Sequence, residues 1–340
     1  MINSTQEIID SLKKGKMVII MDDENRENEG DLVIASEFVK PKDINFMASK
    51  GRGLICMTLT QQKCKKLGLP LMKNSGESSK ETNFTVSIDA ASGISTGISA
   101  SDRAETIKIA VDKKCKPSDL IQPGHVFPLM AKDGGVLVRA GHTEAGCDLA
   151  KLAGLEPSSV IVEILNEDGS MARKKDLLAF AKRHKLKIGT IEDLIKYKTV
   201  NERTIKKIEE KTIKTEYGIF NSIYYKDIIT NQIHFVLIKN KIDRNKPTVV
   251  RVHVQSLLVD TIKMKPYASW SLDSALKKIS KSEQGALVFI SHSLDEIQLD
   301  IINSRNNTSS IKHSSYDYRT VGIGAQILND IGVKDMILLS

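Results

Sequence analysis

The sequence contains no apolar run that approaches the ~20 residues a membrane-spanning helix needs, although 41% of its 340 residues are hydrophobic. Its first stretch, "MINSTQEIIDSLKKGK", lacks the apolar core of a signal peptide and has the spacing of an amphipathic helix. These absences predict a cytoplasmic protein without a membrane partner.

Aromatic residues are scarce, at 5% of the chain, and few of them lie among the basic residues. Lys+Arg of 50 against Asp+Glu of 42 gives a net charge of +8, but the lysines are scattered along the chain. A nucleic-acid-binding surface usually gathers its basic residues on one face. The composition therefore predicts solvated basic faces with some affinity for small anions, and no nucleic-acid partner.

Cysteine is also rare, and its distribution is uneven. The chain has four cysteines, none of them in a Cys-x-x-Cys pair, and none beyond residue 147. We interpret them as reduced, mostly buried thiols of a protein in a reducing compartment. They are Cys56, Cys64, Cys115 and Cys147.

The length of the chain suits two domains rather than one ordinary core. The stretch "YKTVNERTIKKIEEKTIKTEYG" has little apolar content and many charges, and we place the boundary there, giving domains 1–204 and 205–340. Both halves mix strand and helix patterns without strict alternation, which predicts an α+β fold for each. In the first half "DGGVLVRA" is expected to form an Asp-Gly-Gly turn and then a strand, followed by a helix from near Thr143.

An unusual charged segment follows the apolar strand candidate "VIIM". Carboxylates this close repel one another unless a cation or an arginine compensates them, and Mg²⁺ favours such oxygen-rich sites. A solvated loop is the alternative interpretation, and the segment alone does not exclude it. Its charged residues are Asp22, Glu24, Arg26, Glu27, Glu29 and Asp31.

Two further segments carry histidines. "PGHVFPL" places His125 beside an apolar strand, and "RAGHTEAG" places Arg139, His142 and Thr143 where a strand pattern passes into a helix. A helix N-terminus with a nearby arginine and hydroxyl favours phosphate binding. Each histidine alone could equally be structural. Glu163, inside the apolar run "VIVEIL", predicts a partner or a catalytic role, because an unpaired buried carboxylate costs on the order of several kcal/mol.

Taken together, these segments resemble 3,4-dihydroxy-2-butanone 4-phosphate synthase, a riboflavin-pathway enzyme that acts on ribulose 5-phosphate. The resemblance runs in order across roughly residues 5–200. It implies an N-terminal α/β sandwich and a homodimer. The motifs that carry it are "DDENRENEGDL", "TNFTVSIDA", "STGISASDRAETI", "PGHVFPL", "GGVLVRAGHTEAGCDLAKLAGL" and "VIVEILNEDGSMAR".

The resemblance also implies roles for individual residues. Glu27 and His142 would ligate Mg²⁺ or Mn²⁺. His125 and Glu163 would be needed for catalysis, with Asp22 and Cys56 as further catalytic candidates that line the site. The residues expected to contact the sugar phosphate are Arg26, Glu27, Asp31, Arg139, Ala140, Gly141, His142, Thr143 and Glu163. Abstraction of a proton beside a ketone, followed by loss of formate, needs several acid–base groups around one site.

From about residue 212 three segments, "TEYGIFNSIYY", "VVRVHVQSLLVD" and "DYRTVGIGAQILNDIGVKDMILLS" with Arg319, resemble GTP cyclohydrolase II. The chain departs from that family at the zinc site. The runs "VQSLLVDTIKMKPYASWSLD" and "ISHSLDEIQLD" lack the family's cysteines and catalytic arginine. We therefore expect no zinc and no GTP cyclohydrolase activity. A bifunctional enzyme and a nucleotide-sensing scaffold remain the alternatives. The four histidines of this half are not spaced as a zinc pair; they are His234, His253, His292 and His313.

Overall fold

The computed structural model describes residues 2–23, 26–72, 82–262, 270–291 and 316–340. The chain divides into two compact units, Met1–Lys198 and Thr199–Ser340, and each contains a mixed sheet with helices, as the α+β prediction expects. Within the described residues, no helix is both long and apolar enough to cross a membrane.

The first unit is built on a seven-stranded sheet of order β4-β5-β3-β6-β2-β1-β7, in which β1 with β7 and β3 with β5 are parallel and the other pairs are antiparallel. Its elements are α1 (Thr5–Lys13), β1 (Val18–Met21), β2 (Gly30–Ala35), α2 (Pro41–Phe46), β3 (Cys56–Leu59), α3 (Gln61–Lys66), β4 (Ile88–Ala90), α4 (Ala100–Val111), β5 (Leu120–Met130), α5 (His142–Leu152), β6 (Ser159–Glu163), α6 (Lys174–His184), β7 (Lys187–Thr190) and α7 (Ile191–Asn201).

Helices cover both faces of this sheet. Leu32 and Val162 belong to one apolar core together with side chains of α2, α4 and α6, whereas α5 packs on β2, β3 and β6. Because side chains alternate along a strand, Asp31 and Glu163 lie on the α5 face. The central sheet with a helical layer on each side is the expected α/β sandwich.

Local sequence signals explain the helix ends. Ser4 caps α1 in a capping box with Glu7, and the hydroxyl of Ser99 accepts the Asp102 N–H at the start of α4. Each cap satisfies an otherwise orphaned backbone donor. Helix α5 begins at His142, one residue before the predicted start.

Some local predictions are wrong. The predicted Asp-Gly-Gly turn is present, but a 3-10 turn at Gly135–Leu137 takes the place of the strand predicted after it. Gly134 and Gly135 have φ of 93° and 64°, and the Val136 N–H is bonded to the Asp148 carboxylate, so this backbone cannot join a ladder. Of the predicted strand "FTVSIDA", only Ile88–Ala90 is regular. Most of the predicted loop "MKNSGESSKETN" lies outside the described residues.

The second unit contains a six-stranded sheet of order β13-β11-β12-β10-β9-β8. The charged run after residue 204 forms the edge strand β8, whose residues 206–212 are exposed. Lysine and glutamate on an edge strand oppose pairing with another chain, which explains a strand with few apolar residues. The elements are β8 (Ile205–Thr215), β9 (Gly218–Asp227), β10 (Ile233–Lys239), β11 (Thr248–Val254), α8 (Leu272–Ser280), β12 (Gly285–Ile290), α9 (Tyr316–Asp330) and β13 (Met336–Leu338).

Candidate active site

The acidic loop that follows β1 is folded back on Asp22. The Asp22 carboxylate accepts the Glu29 N–H at 2.8 Å, the Glu27 N–H at 3.2 Å and Arg26 Nη1 at 2.9 Å. Arg173, the N-cap of α6, donates Nη1 to the carbonyls of Glu27 and Asn28, both at 2.6 Å. The described part of the loop is therefore an organised turn. Glu24 lies outside the described residues.

Three side chains from this loop and α5 form a cluster suited to a cation. Ligand atoms of Asp22, Glu27 and His142 all lie within 4.8 Å of one another. Among the described residues, this is the group of three or more histidine, cysteine and carboxylate side chains that could hold a metal. Arg26 Nη1 lies 2.7 Å from Glu27 Oε2, so a cationic group already compensates the carboxylates.

His142 is arranged as a ligand rather than as a cation. Its Nε2 lies 3.1 Å from the carbonyl oxygen of Ile20, which can only accept, so Nε2 carries the proton and Nδ1 keeps its lone pair. Burial lowers the pKa of His142, which favours the neutral ring. Two carboxylates and a neutral imidazole fit a hard divalent cation such as Mg²⁺ or Mn²⁺.

Asp31 and Glu163 are direct neighbours on the antiparallel strands β2 and β6. Asp31 is 3% exposed, and its Oδ1 has no hydrogen-bond partner among the described residues. Burial, and after it the charge of Glu163, raises the pKa of Asp31 well above its usual value. The pair therefore favours a state in which Asp31 is protonated and can donate a hydrogen bond.

The position of Glu163 depends on a glycine. Its Oε2 accepts the Leu54 N–H at 3.0 Å, and a Cβ at Gly53 would lie 2.5 Å from the same oxygen. Cys56, at the start of β3, is 3% exposed. Burial, followed by the charges of Glu163 and Asp31, raises the pKa of its thiol, so Cys56 lies beside these carboxylates as a neutral group.

The segment before α5 places the cationic side chain of Arg139 near the N-terminus of this helix. The N-cap of α5 is Gly141, which has no side chain to accept a hydrogen bond. The backbone N–H groups of the first turn are therefore not satisfied by a capping side chain. Arg139 Nη1 donates to Glu144 Oε2 at 2.8 Å, and a Cβ at Gly141 would lie 2.4 Å from that Nη1. Ala140 and the buried Thr143 flank Gly141 and His142. This arrangement suits an anionic group.

His125 is held by a partner of its own. Its Nδ1 lies 2.7 Å from Asp89 Oδ2, and its backbone N–H donates to Asp89 Oδ1 at 3.0 Å. Gly97, at φ 89°, covers this pair, and a Cβ there would lie 2.2 Å from Asp89 Oδ2. The His125 side chain is 42% exposed. Within the described part of the chain, no hydrogen bond or ion pair joins His125 to the acidic cluster.

Sequence reasoning missed two supporting residues, Asp89 and Arg173, and it gave no role to Glu144, which lies in "RAGHTEAG". Asp89 gave no signal of its own, because it occupies a polar position of the alternating run "FTVSIDA", where the pattern predicts a solvent-facing side chain. The contact of Arg173 with Glu27 spans 146 residues, so the local sequence does not encode it.

In the described residues of the second unit, the histidines form no cluster of three or more groups that could hold a metal. His253 Nε2 lies 2.8 Å from Asp260 Oδ1, and the Ser291 N–H donates to His234 Nδ1. Most of "ISHSLDEIQLD", with His292, and also His313 and the side chain of Arg319, lie outside the described residues.

Acidic, imidazole and guanidinium groups lie together at one end of the inner strands of this α/β sandwich. Such a site defines an enzyme for a small anionic substrate. A sequence model described as 3,4-dihydroxy-2-butanone 4-phosphate synthase matches residues 6–197, and one described as GTP cyclohydrolase II matches residues 206–340. The chain belongs to the 3,4-dihydroxy-2-butanone 4-phosphate synthase family.

Individual relatives agree with this assignment. A 3,4-dihydroxy-2-butanone 4-phosphate synthase of Photobacterium phosphoreum is 51% identical, over 100% of this chain and 93% of the relative. The crystal structure of RibBX, a two-domain 3,4-dihydroxy-2-butanone 4-phosphate synthase from A. baumannii, is 46% identical, with a TM-score of 0.83, and the match covers 99% of this chain and 94% of that one. A 3,4-dihydroxy-2-butanone 4-phosphate synthase in complex with two magnesium ions is 40% identical, with a TM-score of 0.56, over 59% of this chain and 98% of that one.

Proposed function

We propose that the first unit converts ribulose 5-phosphate to 3,4-dihydroxy-2-butanone 4-phosphate and formate, as a lyase of riboflavin biosynthesis. The observation that carries this proposal is the convergence of Asp22, Glu27 and His142 within 4.8 Å, next to the carboxyl pair Asp31 and Glu163. A ketose phosphate needs both a site for its polar oxygens and groups that move protons, and this edge of the sheet offers both.

Glu27 and His142, with Asp22 beside them, would hold Mg²⁺ or Mn²⁺. When bound, the ion supplies Lewis-acid stabilisation of negative charge that develops on substrate oxygens. The related synthase in complex with two magnesium ions supports this choice. The orphaned Oδ1 of Asp31 supports a site that is completed by a ligand, because a buried polar atom is rarely left without a partner.

His125 and Glu163 are proposed to exchange protons with the substrate. The Asp89 carboxylate accepts a hydrogen bond from Nδ1–H, which leaves Nε2 of His125 as the exchanging nitrogen. Burial, and after it the charge of Glu163, raises the pKa of Asp31, and in its protonated form Asp31 would donate a hydrogen bond to a substrate oxygen. Cys56 lines the site beside these carboxyl groups, and its raised pKa favours the neutral thiol.

The substrate phosphate is proposed to bind where α5 begins. The Arg139 fork, the backbone from Ala140 to Thr143 and the Thr143 hydroxyl provide donors for an anion. Arg26 and Glu27 contact the sugar end of the substrate, since Glu27 belongs to the cation cluster and Arg26 Nη1 lies 2.7 Å from its carboxylate.

We propose that the second unit has no GTP cyclohydrolase activity and that it stabilises the synthase or supports a homodimer. The absence of any cysteine beyond residue 147 supports the first part, because zinc sites of that kind rely on thiolates. We expect the protein to work in the cytoplasm.

Formate release from ribulose 5-phosphate by the purified full-length chain, with Mg²⁺ present, tests the proposal. We expect formate and the four-carbon phosphate in equal amounts. Activity that requires no cation and survives Glu163→Gln would contradict the assignment of the site.

A further inference from the structure

Two buried carboxylates on α5 hold the segment that carries Arg139. Glu144 Oε1 accepts the Lys132 N–H at 2.9 Å, and Oε2 accepts Arg139 Nη1. One turn later, Asp148 Oδ2 accepts the Val136 N–H at 2.8 Å. Residues four apart lie on the same face of a helix, so one face of α5 fixes the segment at both of its ends.

The Asp148 contact reaches Arg139 through the backbone. Val136 lies in the 3-10 turn Gly135–Leu137, and the Arg139 N–H donates to the Gly135 carbonyl at 3.1 Å. A Cβ at Gly135 would lie 2.2 Å from Asp148 Oδ2, so the turn and the carboxylate fit closely. A shift of Asp148 therefore moves the turn on which the Arg139 backbone depends.

Lys198, near the end of α7, fixes the other oxygen of this carboxylate. Its Nζ lies 2.7 Å from Asp148 Oδ1, and both side chains are buried, at 4% and 9% exposure. A buried ion pair often contributes little net stability, and its best-supported use is to specify one arrangement. Here that arrangement orients Asp148 towards the Val136 N–H.

We propose that Asp148 and Lys198 are positioning residues that set Arg139 for the substrate phosphate. This inference rests on the proposed function, in which Arg139 contacts that phosphate. Neither residue touches the substrate. The position of Arg139 depends on the Asp148 carboxylate that accepts the Val136 N–H, and Lys198 holds this carboxylate in place.

Two double variants of the full-length chain separate positioning from stability, because neither leaves a buried charge without a partner. D148N/K198M keeps an acceptor for the Val136 N–H, and we expect its KM to stay within about twofold of the parent. D148L/K198M removes the acceptor, and we expect KM to rise about tenfold with kcat changed less than about twofold, the scale of one lost hydrogen bond. The inhibition constant of inorganic phosphate should rise in parallel, while the Mg²⁺ concentration for half-maximal activity stays unchanged.

Lys196→Met is the matched control. Lys196 lies on the same helix and pairs with Glu192 at 2.8 Å on the exposed face, so its loss should leave KM and phosphate inhibition unchanged. If D148L/K198M does not fold, D148E serves instead, because it keeps the charge and pushes the carboxylate towards Gly135. It should raise KM in the same way.

An unchanged KM in D148L/K198M or D148E would overturn the inference, as would a fall in kcat alone. So would a tenfold rise in KM for D148N/K198M. Arg139→Lys distinguishes this from a failure of the proposed function. If Arg139→Lys leaves KM and phosphate inhibition unchanged, the phosphate role of Arg139 is wrong, whereas a raised KM there beside unchanged positioning variants removes only the inference.

Discussion

His125 and Asp89 form a dyad in which the carboxylate binds both the imidazole Nδ1 and the backbone N–H of the same histidine. Two contacts from one side chain fix the ring and its tautomer, which directs Nε2 outward for proton exchange. Gly97 and Asp102 support the dyad from outside, since the Gly97 N–H donates to Asp102 Oδ2.

The dyad predicts graded losses of activity. His125→Ala should lower kcat by about 10²–10⁴-fold, the usual contribution of a general acid or base. Asp89→Asn should lower it less and should alter the pH profile of kcat, because an amide does not fix the tautomer. The control is Asp119→Asn, because the half-buried Asp119 carboxylate accepts the Lys116 N–H in the turn before β5 and can be replaced by an amide oxygen. Formate release measured across pH 6–9 gives the comparison; equal profiles for Asp89→Asn and the parent would contradict the role of Asp89.

Changes at the cation cluster should abolish activity without unfolding the protein. Glu27→Gln and His142→Ala each remove a ligand, and the remaining groups cannot hold the ion firmly. EDTA should abolish formate release by the parent protein, and added Mg²⁺ or Mn²⁺ should restore it. Full activity in excess chelator would rule out dependence on a metal. Circular dichroism on both variants checks that the fold is retained.

The four cysteines should be unreactive in the folded protein. Burial raises the pKa of all four thiols, so each stays neutral as the pH rises through 8, and the thiolate is the reactive form. Iodoacetamide at pH 8 should modify none of them until denaturant is added, and mass spectrometry counts the adducts. Cys56→Ala should cost less than about tenfold in kcat, well below the loss expected for a group that transfers protons. Rapid alkylation of Cys56 in the native state would contradict this.

Contacts between residues close in the sequence could be predicted, whereas contacts between distant residues could not. Ser4 and Ser99 cap helices through contacts three residues away, and contacts of this range are open to prediction from the local sequence. Asp89 and His125 are 36 residues apart, and Arg173 reaches Glu27 across 146 residues, so spacing could not predict either contact. The strand predicted after the Asp-Gly-Gly turn is wrong because the positive φ angles of Gly134 and Gly135 and the distant Asp148 carboxylate determine the backbone conformation there. The edge strand β8 was missed because its charged residues give no apolar pattern.

Removal of the second unit should leave a working synthase. A fragment of residues 1–204 keeps all of α7, including the buried Leu194, Ile195 and Lys198, and we expect it to be soluble with much of the parent activity. A fragment of residues 1–186 loses β7, which pairs with β1, and should aggregate. An insoluble or inactive 1–204 fragment would show that the second unit is structurally required. The synthase would then need residues beyond 204.

The full-length protein should neither open GTP nor retain zinc. Ring opening needs a metal-activated water, and a zinc site needs three or four correctly placed ligands. The second unit has no thiolate. Of its histidines, His253 has Nε2 bound to Asp260, and isolated histidines bind zinc weakly unless they are preorganised. Metal analysis after dialysis, with an overnight incubation with GTP and added zinc, measures both properties. Stoichiometric zinc together with formate from GTP would show that this unit has rebuilt a site from other ligands.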